Sequence, residues 1–282
     1  MNIQQFLPKQ SLNPFVQQYV LLEDFSADTT FAQQQLFSLG NQYLVFVLKG
    51  EITFRPSDHA PFTLPEASVV GPFTCSGSVK MTGPSSAVVV QLNVCGSHRL
   101  LGLSMDTVTN YYRDLSKLDA GQWKYLGREL ATTDDIVSLL DRALEKALKE
   151  QERSLQGVDE ILEHLLLQNG NVDMESVALY FKTSRHTLER RFMEVTGLTP
   201  QMYGRIARFN TAMQSIKEDM HTQQWQNVLQ DCGYGDQNHF IKDFLYFGAP
   251  KTEKEPKTPQ VSLRKIFKLA ETMYPQYKTA FN

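Results

Sequence analysis

The chain has 282 residues, enough for two domains with a core each. Its 41% hydrophobic and 21% charged content is that of ordinary globular protein, and no apolar run reaches the roughly 18 residues of a membrane span. A net charge of −3 does not advertise nucleic-acid binding, and residues 155–250 alone carry 8 Lys+Arg against 12 Asp+Glu. Residues 251–282 reverse the sign, with 7 against 3. The N-terminus lacks a basic segment followed by an apolar stretch, so no secretory signal is expected. Cys75, Cys95 and Cys232 form neither a CxxC pair nor an even set, which points to a reducing, cytoplasmic setting.

The first hundred residues have strand character. Tyr43–Leu48 (YLVFVL) is a short apolar run that ends at Lys49-Gly50 and is followed by Glu51–Arg55, a layout expected for a hairpin. Val69-Val70 and Ala87–Val94 continue the pattern. Pro56, Pro61, Pro65, Gly77, Gly83 and Pro84 punctuate it as turns do in a sandwich or barrel. From about Thr107 the period changes. Helices are expected over Trp123–Leu130 and Asp135–Glu152, the latter with Ile136, Leu139, Leu140, Ala143, Leu144 and Ala147 as its apolar stripe. Residues 153–157 (RSLQG) form the expected linker.

Two segments then share one internal layout. Met174–Phe181 is an apolar-faced helix, Lys182-Thr183 a tight turn, and Ser184–Phe192 a second helix with a polar outer side. Trp225–Gly233, Tyr234-Gly235 and Asp236–Phe244 repeat that order. Such a pair of units holds one helix rigidly and presents the next to the DNA major groove. Asp173 and Ser184 are placed as helix caps, Gly197 as a stop, and Thr199-Pro200 as the start of a further helix of roughly 27 Å. A connector of that length could hold two reading helices about one duplex turn apart, roughly 34 Å. Helical spacing sends Leu188, Phe192 and Val195 inward and leaves Arg185, His186, Glu189, Arg190 and Met193 outward. In the second unit Phe240 and Phe244 are the inward pair, and Gln237, Asn238, His239, Ile241 and Lys242 are candidates for the groove. Arginine pairs with guanine, glutamate accepts from cytosine, and asparagine or glutamine pairs with adenine.

Ser184, Leu188, Arg190 and Phe192 open a longer pattern. It runs through Gly197-x-Thr199-Pro200-x-x-Tyr203, Arg208, Ala212, Cys232-Gly-Tyr-x-Asp236, Phe240, Phe244 and Gly248. On these residues, 155–250 resemble the DNA-binding domain of AraC/XylS-family transcription regulators. The resemblance implies that both reader helices enter successive major-groove segments. His186, Glu189 and Arg190 would then read bases in the first unit, with Arg185 from the same outward face as a further DNA contact, and Gln237, Asn238, His239 and Lys242 would read them in the second. Thr199, Arg205 and Arg208 are assigned to phosphate. Residues 1–150 resemble the sensory or dimerisation half of such regulators, a cupin-like β-domain followed by helices. The chain departs from the family where Val228-Leu229 replaces an Ile-Ala pair, and where Gly248-Ala-Pro250 shortens a closing motif.

The expected fold class is α+β in two domains. A β-rich cupin-like N-terminal domain with trailing helices spans 1–152, and an all-α domain with two helix-turn-helix units spans 158–250. A basic tail over 251–282 contains a short amphipathic helix from Ser262 to Met273. The expected partners are double-stranded DNA, a small-molecule or protein effector at the N-terminal domain, and a second copy of the chain, with no membrane. His59 and His98 raise the alternative of a metal-dependent cupin-type enzyme. Residues 40–100, however, hold no His-x-His or His-x-x-x-Glu pattern, so no metal, cofactor or catalytic residue is assigned. The acidic balance of 155–250 leaves open an interaction protein that has lost DNA binding.

Overall fold

The computed structural model describes residues 1–26, 28–32, 37, 39–118, 122–150, 157–167, 173–218 and 225–247. The linker expected at 153–157 lies outside them except for Gly157, as do the closing motif at 248–250 and the whole tail.

The N-terminal half is built on two long antiparallel strands. β1 (Asn2–Phe6) pairs with β2 (Val16–Asp24), and β3 (Asp28–Ala32) lies further along the same edge. β4 (Gln42–Pro56) then carries β5 (Phe62–Thr63) and β6 (Ala67–Val70) on one side and β7 (Gly77–Leu92) on the other. β2 and β3 pair in turn with the two halves of β7, and β8 (Tyr112–Asp114) closes the far edge on β6.

The hairpin expected at Lys49-Gly50 does not exist. β4 runs through it as one strand, with register shifts against β7 on both sides of Lys49. Gly50 (φ 74°) is a bulge residue, and a Cβ there would come within 3.0 Å of the Ser85 backbone. Gly83, expected in a turn, is likewise inside β7 at φ 71°. The two irregularities lie across from each other, where bulges sharpen strand twist and bend the ribbon.

Both faces of that ribbon are covered, which is why 43–46 reads as unbroken apolar sequence. One face (Tyr43, Val45, Ala87, Val89) lines an interior filled by Phe37, Phe54, Phe62 and Phe73, whose rings meet at 4.8–5.4 Å. The other (Leu44, Phe46, Val88, Val90, Leu92) is covered by α1 (Gly96–Leu101), α2 (Gln122–Leu130) and α3 (Ile136–Glu150). The α3 stripe is as expected: Leu140, Leu144 and Ala147 are buried, with Ile136, Leu139 and Ala143 packed beside them. Tyr19 fastens it to β2, its hydroxyl donating to Asp141 Oδ1 at 2.7 Å.

Six helices make up the described part of the C-terminal half. They are α4 (Val158–Leu167), α5 (Met174–Tyr180), α6 (Arg185–Thr196), α7 (Pro200–Glu218), α8 (Trp225–Asp231) and α9 (Gln237–Phe247). The halves share their cores. Leu198, Ile206 and Phe209 belong to the same buried cluster as Leu39 and Phe73, and Cys95 joins α4 and α6.

Candidate nucleic-acid interface

Each helix-turn-helix unit is fixed by local chemistry. In the first, Asp173 caps α5 by accepting from the Glu175 and Ser176 amides at 3.1 and 3.4 Å. These bonds, led by the Ser176 side chain, hold the Asp173 carboxyl below its ordinary range. The turn is made by Lys182 in the left-handed region (φ 49°), with the Thr183 amide donating to the Ala178 carbonyl at 3.0 Å. Ser184 caps α6 by accepting from the Thr187 amide at 3.1 Å, and Gly197 ends it at φ 78°. In the second unit Gly233 (φ 86°) ends α8, and Asp236 accepts from the His239 amide at 2.8 Å to start α9. Leu229 is buried at the position where the family carries alanine, so the junction of α8 with its neighbours accommodates the larger side chain.

Leu188, Phe192, Val195, Phe240 and Phe244 are buried as their spacing requires. Arg185, His186, Arg190, Met193, Gln237, Asn238, His239 and Lys242 are exposed, and Glu189 is half-buried. Ile241 does not reach the surface. It is 6% exposed, because α9 packs on both α7 and α8 and draws in a second side chain beside Phe240.

Arg185, Glu189, Arg190 and Glu194 on α6 already have partners. Arg185 Nε is 2.8 Å from Glu189 Oε1 and its Nη1 is 3.5 Å from Glu175 Oε1, while Arg190 Nη1 is 3.0 Å from Glu194 Oε1. Exposed pairs of this kind contribute about 0–1 kcal/mol, so base edges or phosphates can replace the carboxylates at small cost. The three residues assigned to phosphate are placed differently. Thr199 is exposed and caps α7 by accepting from the Met202 amide at 3.1 Å. Arg208 lies over the Tyr234 ring at 5.3 Å and donates to the Gly233 carbonyl at 3.5 Å. Arg205 Nε donates to Asp243 Oδ1 at 2.6 Å, and its guanidinium covers the Tyr246 and Phe247 rings at 4.5 and 4.9 Å. Asp243 is 1% exposed and also accepts from the Tyr234 hydroxyl at 3.1 Å. Burial first, then that carboxylate, pushes the Tyr234 hydroxyl up. Arg205 and Arg208 therefore brace α7 against the second unit.

A seam between the two halves has no counterpart in the sequence reading. Gln42, fully buried on β4, donates through Nε2 to the carbonyls of Val94 (2.7 Å), Thr196 (3.1 Å) and Val195 (3.4 Å) and accepts from the Ser97 amide at 3.2 Å. Thr109 donates to the Gly197 carbonyl, and Asn210 on α7 donates to the Leu39 carbonyl at 3.3 Å. Gly197 is packed so closely that a Cβ would stand 2.8 Å from the Met105 carbonyl and 2.9 Å from Pro72. Helix α6 thus presents its N-terminal half to solvent and anchors its C-terminal end on the β-domain. Burial pushes the Cys75 and Cys95 thiols up to about 12, so neither is a ready nucleophile.

Fold and site together define two helix-turn-helix units, each with one buried helix face and one exposed polar row. A family model described as a helix-turn-helix domain matches residues 177–247, and one described as a domain of unknown function (DUF6597) matches residues 4–114. The transcriptional activator RhaS of Enterobacter sp. (strain 638) is 32% identical over 114 residues, 40% of this chain and 39% of that protein. RhaS of Salmonella arizonae is 38% identical over 66 residues, 23% of each chain. The chain thus spans well under half the length of these relatives. Among solved structures, ToxT from Vibrio cholerae O395 aligns over 89% of this chain and 96% of its own, at 10% identity and a TM-score of 0.41. No helix among the described residues is long and apolar enough to cross a membrane.

Proposed function

We propose that the chain is a sequence-specific, DNA-binding transcription regulator that acts in the cytoplasm and catalyses no reaction. Its two reader helices engage adjacent major-groove segments, and its β-domain controls their presentation in response to a small-molecule or protein effector, as a monomer or a homodimer. The observation that carries this reading is the pairing of two polar rows with two buried faces. Arg185, His186, Glu189 and Arg190 on α6, and Gln237, Asn238, His239 and Lys242 on α9, project from helices whose opposite sides are locked into cores. That rigidity is what base readout demands. Control by the β-domain is supported by the seam at Gln42, Thr109 and Gly197, which ties the end of α6 to β4 and to the segment before β8. The test is binding of the chain to its selected duplex. Arg190→Ala and Asn238→Ala should each cost about 1–3 kcal/mol and relax preference at one base position. Unchanged affinity in both variants would refute the assignment of the readers.

A further inference from the structure

Pro56 closes β4 opposite Gly77, and the Ser57 amide donates to the Ser76 carbonyl at 2.8 Å. This register brings the Asp58-His59 turn onto Cys75, a residue distant in sequence. One ligand atom from each of Asp58, His59 and Cys75 lies within 4.8 Å of the other two, with His59 Nδ1 and Asp58 Oδ1 2.8 Å apart. Among the described residues this is the one group of three His, Cys, Asp or Glu side chains so disposed. Cys75 is fully buried, whereas the Asp58 and His59 side chains remain 31% and 45% exposed. The sulfur therefore forms the floor, and the imidazole and carboxylate form the open rim.

Sulfur, nitrogen and oxygen in one cluster suit a borderline-soft divalent ion better than magnesium or calcium, which prefer oxygen alone. Zinc bond lengths of about 2.0–2.3 Å require tetrahedral ligands on the order of 3.3–3.7 Å apart. The cluster reaches that spacing if the Asp58–His59 pair opens slightly and closes on the sulfur, movements confined to two side chains on an exposed turn. A carboxylate and a sulfur facing one another across the cluster favour a cation between them. We propose that Asp58, His59 and Cys75 bind a zinc-class divalent cation through three protein ligands, leaving a fourth position open to water.

The site adjoins the seam. Cys75 Sγ lies 3.8 Å from Asn110 Oδ1. Asn110 is buried, is held at φ 56°, and exchanges two 2.7 Å bonds with Thr74. Its amide donates to the Pro72 carbonyl at 3.0 Å, and Pro72 packs on Gly197. The preceding residue, Thr109, donates to the Gly197 carbonyl at the end of α6. When a cation takes the sulfur, the thiol proton leaves to water and Cys75 can no longer donate to Asn110. Cation binding thereby acts on the segment that anchors the first reader helix, a consequence that rests on the DNA-binding reading above.

The full chain is titrated with Zn2+ by calorimetry and with Co2+ by absorbance, alongside Cys75→Ser and the exposed-residue variant His59→Ala. The expected result is one ion per chain, a thiolate-to-cobalt charge-transfer band that Cys75→Ser abolishes, and at least 10-fold weaker Zn2+ binding in His59→Ala. Equal Zn2+ affinity in wild type and His59→Ala, or no charge-transfer band in folded wild type, overturns the site. A second arm measures affinity for the selected duplex with and without saturating Zn2+. A several-fold change in wild type that is absent in His59→Ala supports the coupling, and no change overturns it. If no duplex is bound in any condition, the transcription reading fails while the cobalt spectrum still judges the metal site.

Discussion

Replacing Arg205 by alanine separates a bracing role from a phosphate-contacting one. Asp243 is 1% exposed and its carboxylate has two partners, Arg205 Nε at 2.6 Å and the Tyr234 hydroxyl at 3.1 Å. Arg205→Ala removes the only charge among them and strands a buried anion, a loss of about 3–5 kcal/mol in general. Because the Arg205 side chain is 31% exposed, water can enter its place, and the Tyr234 bond survives. The expected cost is therefore at the lower end, about 3 kcal/mol, including roughly 0.5–1 kcal/mol of lost guanidinium–ring attraction to Tyr246 and Phe247. Urea unfolding followed by circular dichroism measures it, with hydrogen exchange of the α9 amides to locate the loss. The double variant Arg205→Leu/Asp243→Leu should regain most of the stability, since no charge is left unpaired. The reasoning is refuted if Arg205→Ala stays within about 0.5 kcal/mol of wild type while the salt dependence of DNA binding drops by about one charge. That outcome would support the phosphate role expected from sequence.

Phe240→Ala should cost about 3–5 kcal/mol and abolish binding at the second half of the DNA site, read by unfolding and by footprinting. Gln42→Leu leaves the Ser97 amide and the Thr196 carbonyl without their partner, so about 1–3 kcal/mol is expected, with faster proteolysis at the α6–α7 junction. Gly197→Ala combines a left-handed φ with a 2.8 Å contact to the Met105 carbonyl and should loosen the same junction more than Gln42→Leu does. Asp173 has a depressed folded pKa, so its cap is intact above the ordinary aspartate value of about 3.9 and is lost as pH falls through the lower folded value. Exchange protection of the Glu175 and Ser176 amides should decline in that acid window and be flat above it.

What the sequence made legible was mostly local. The caps at Asp173 and Ser184, the stop at Gly197 and the inward Leu188, Phe192, Phe240 and Phe244 follow from spacing within single helices. Lys49-Gly50 shows the limit. A Lys-Gly pair between apolar runs serves a hairpin or a bulge equally well, and the choice was made by Ser85 and Ser86 across the ribbon. Ile241 was assigned to the surface by the spacing of one packing face, but α9 has two packing neighbours. Arg205 clusters in sequence with other arginines, yet its partner Asp243 lies a full helix-turn-helix unit downstream. Gln42 carries no sequence signal for a seam, since its acceptors come from α6 and from Val94, beyond the end of β7. His59 was visible, but Cys75 lies too far along the chain to carry a ligand-spacing signal, and the Pro56–Gly77 pairing brings it to the Asp58-His59 turn.

Whether both helices read DNA is decided by selection of bound sequences from a random duplex pool, with the full chain at low salt. Two short motifs about one helical turn apart, roughly 10–10.5 base pairs, should be enriched, with Arg190→Ala relaxing one motif and Asn238→Ala the other. Enrichment of a single motif, indifferent to Asn238→Ala, would contradict the double-reader account, and no enrichment at all would contradict DNA recognition itself.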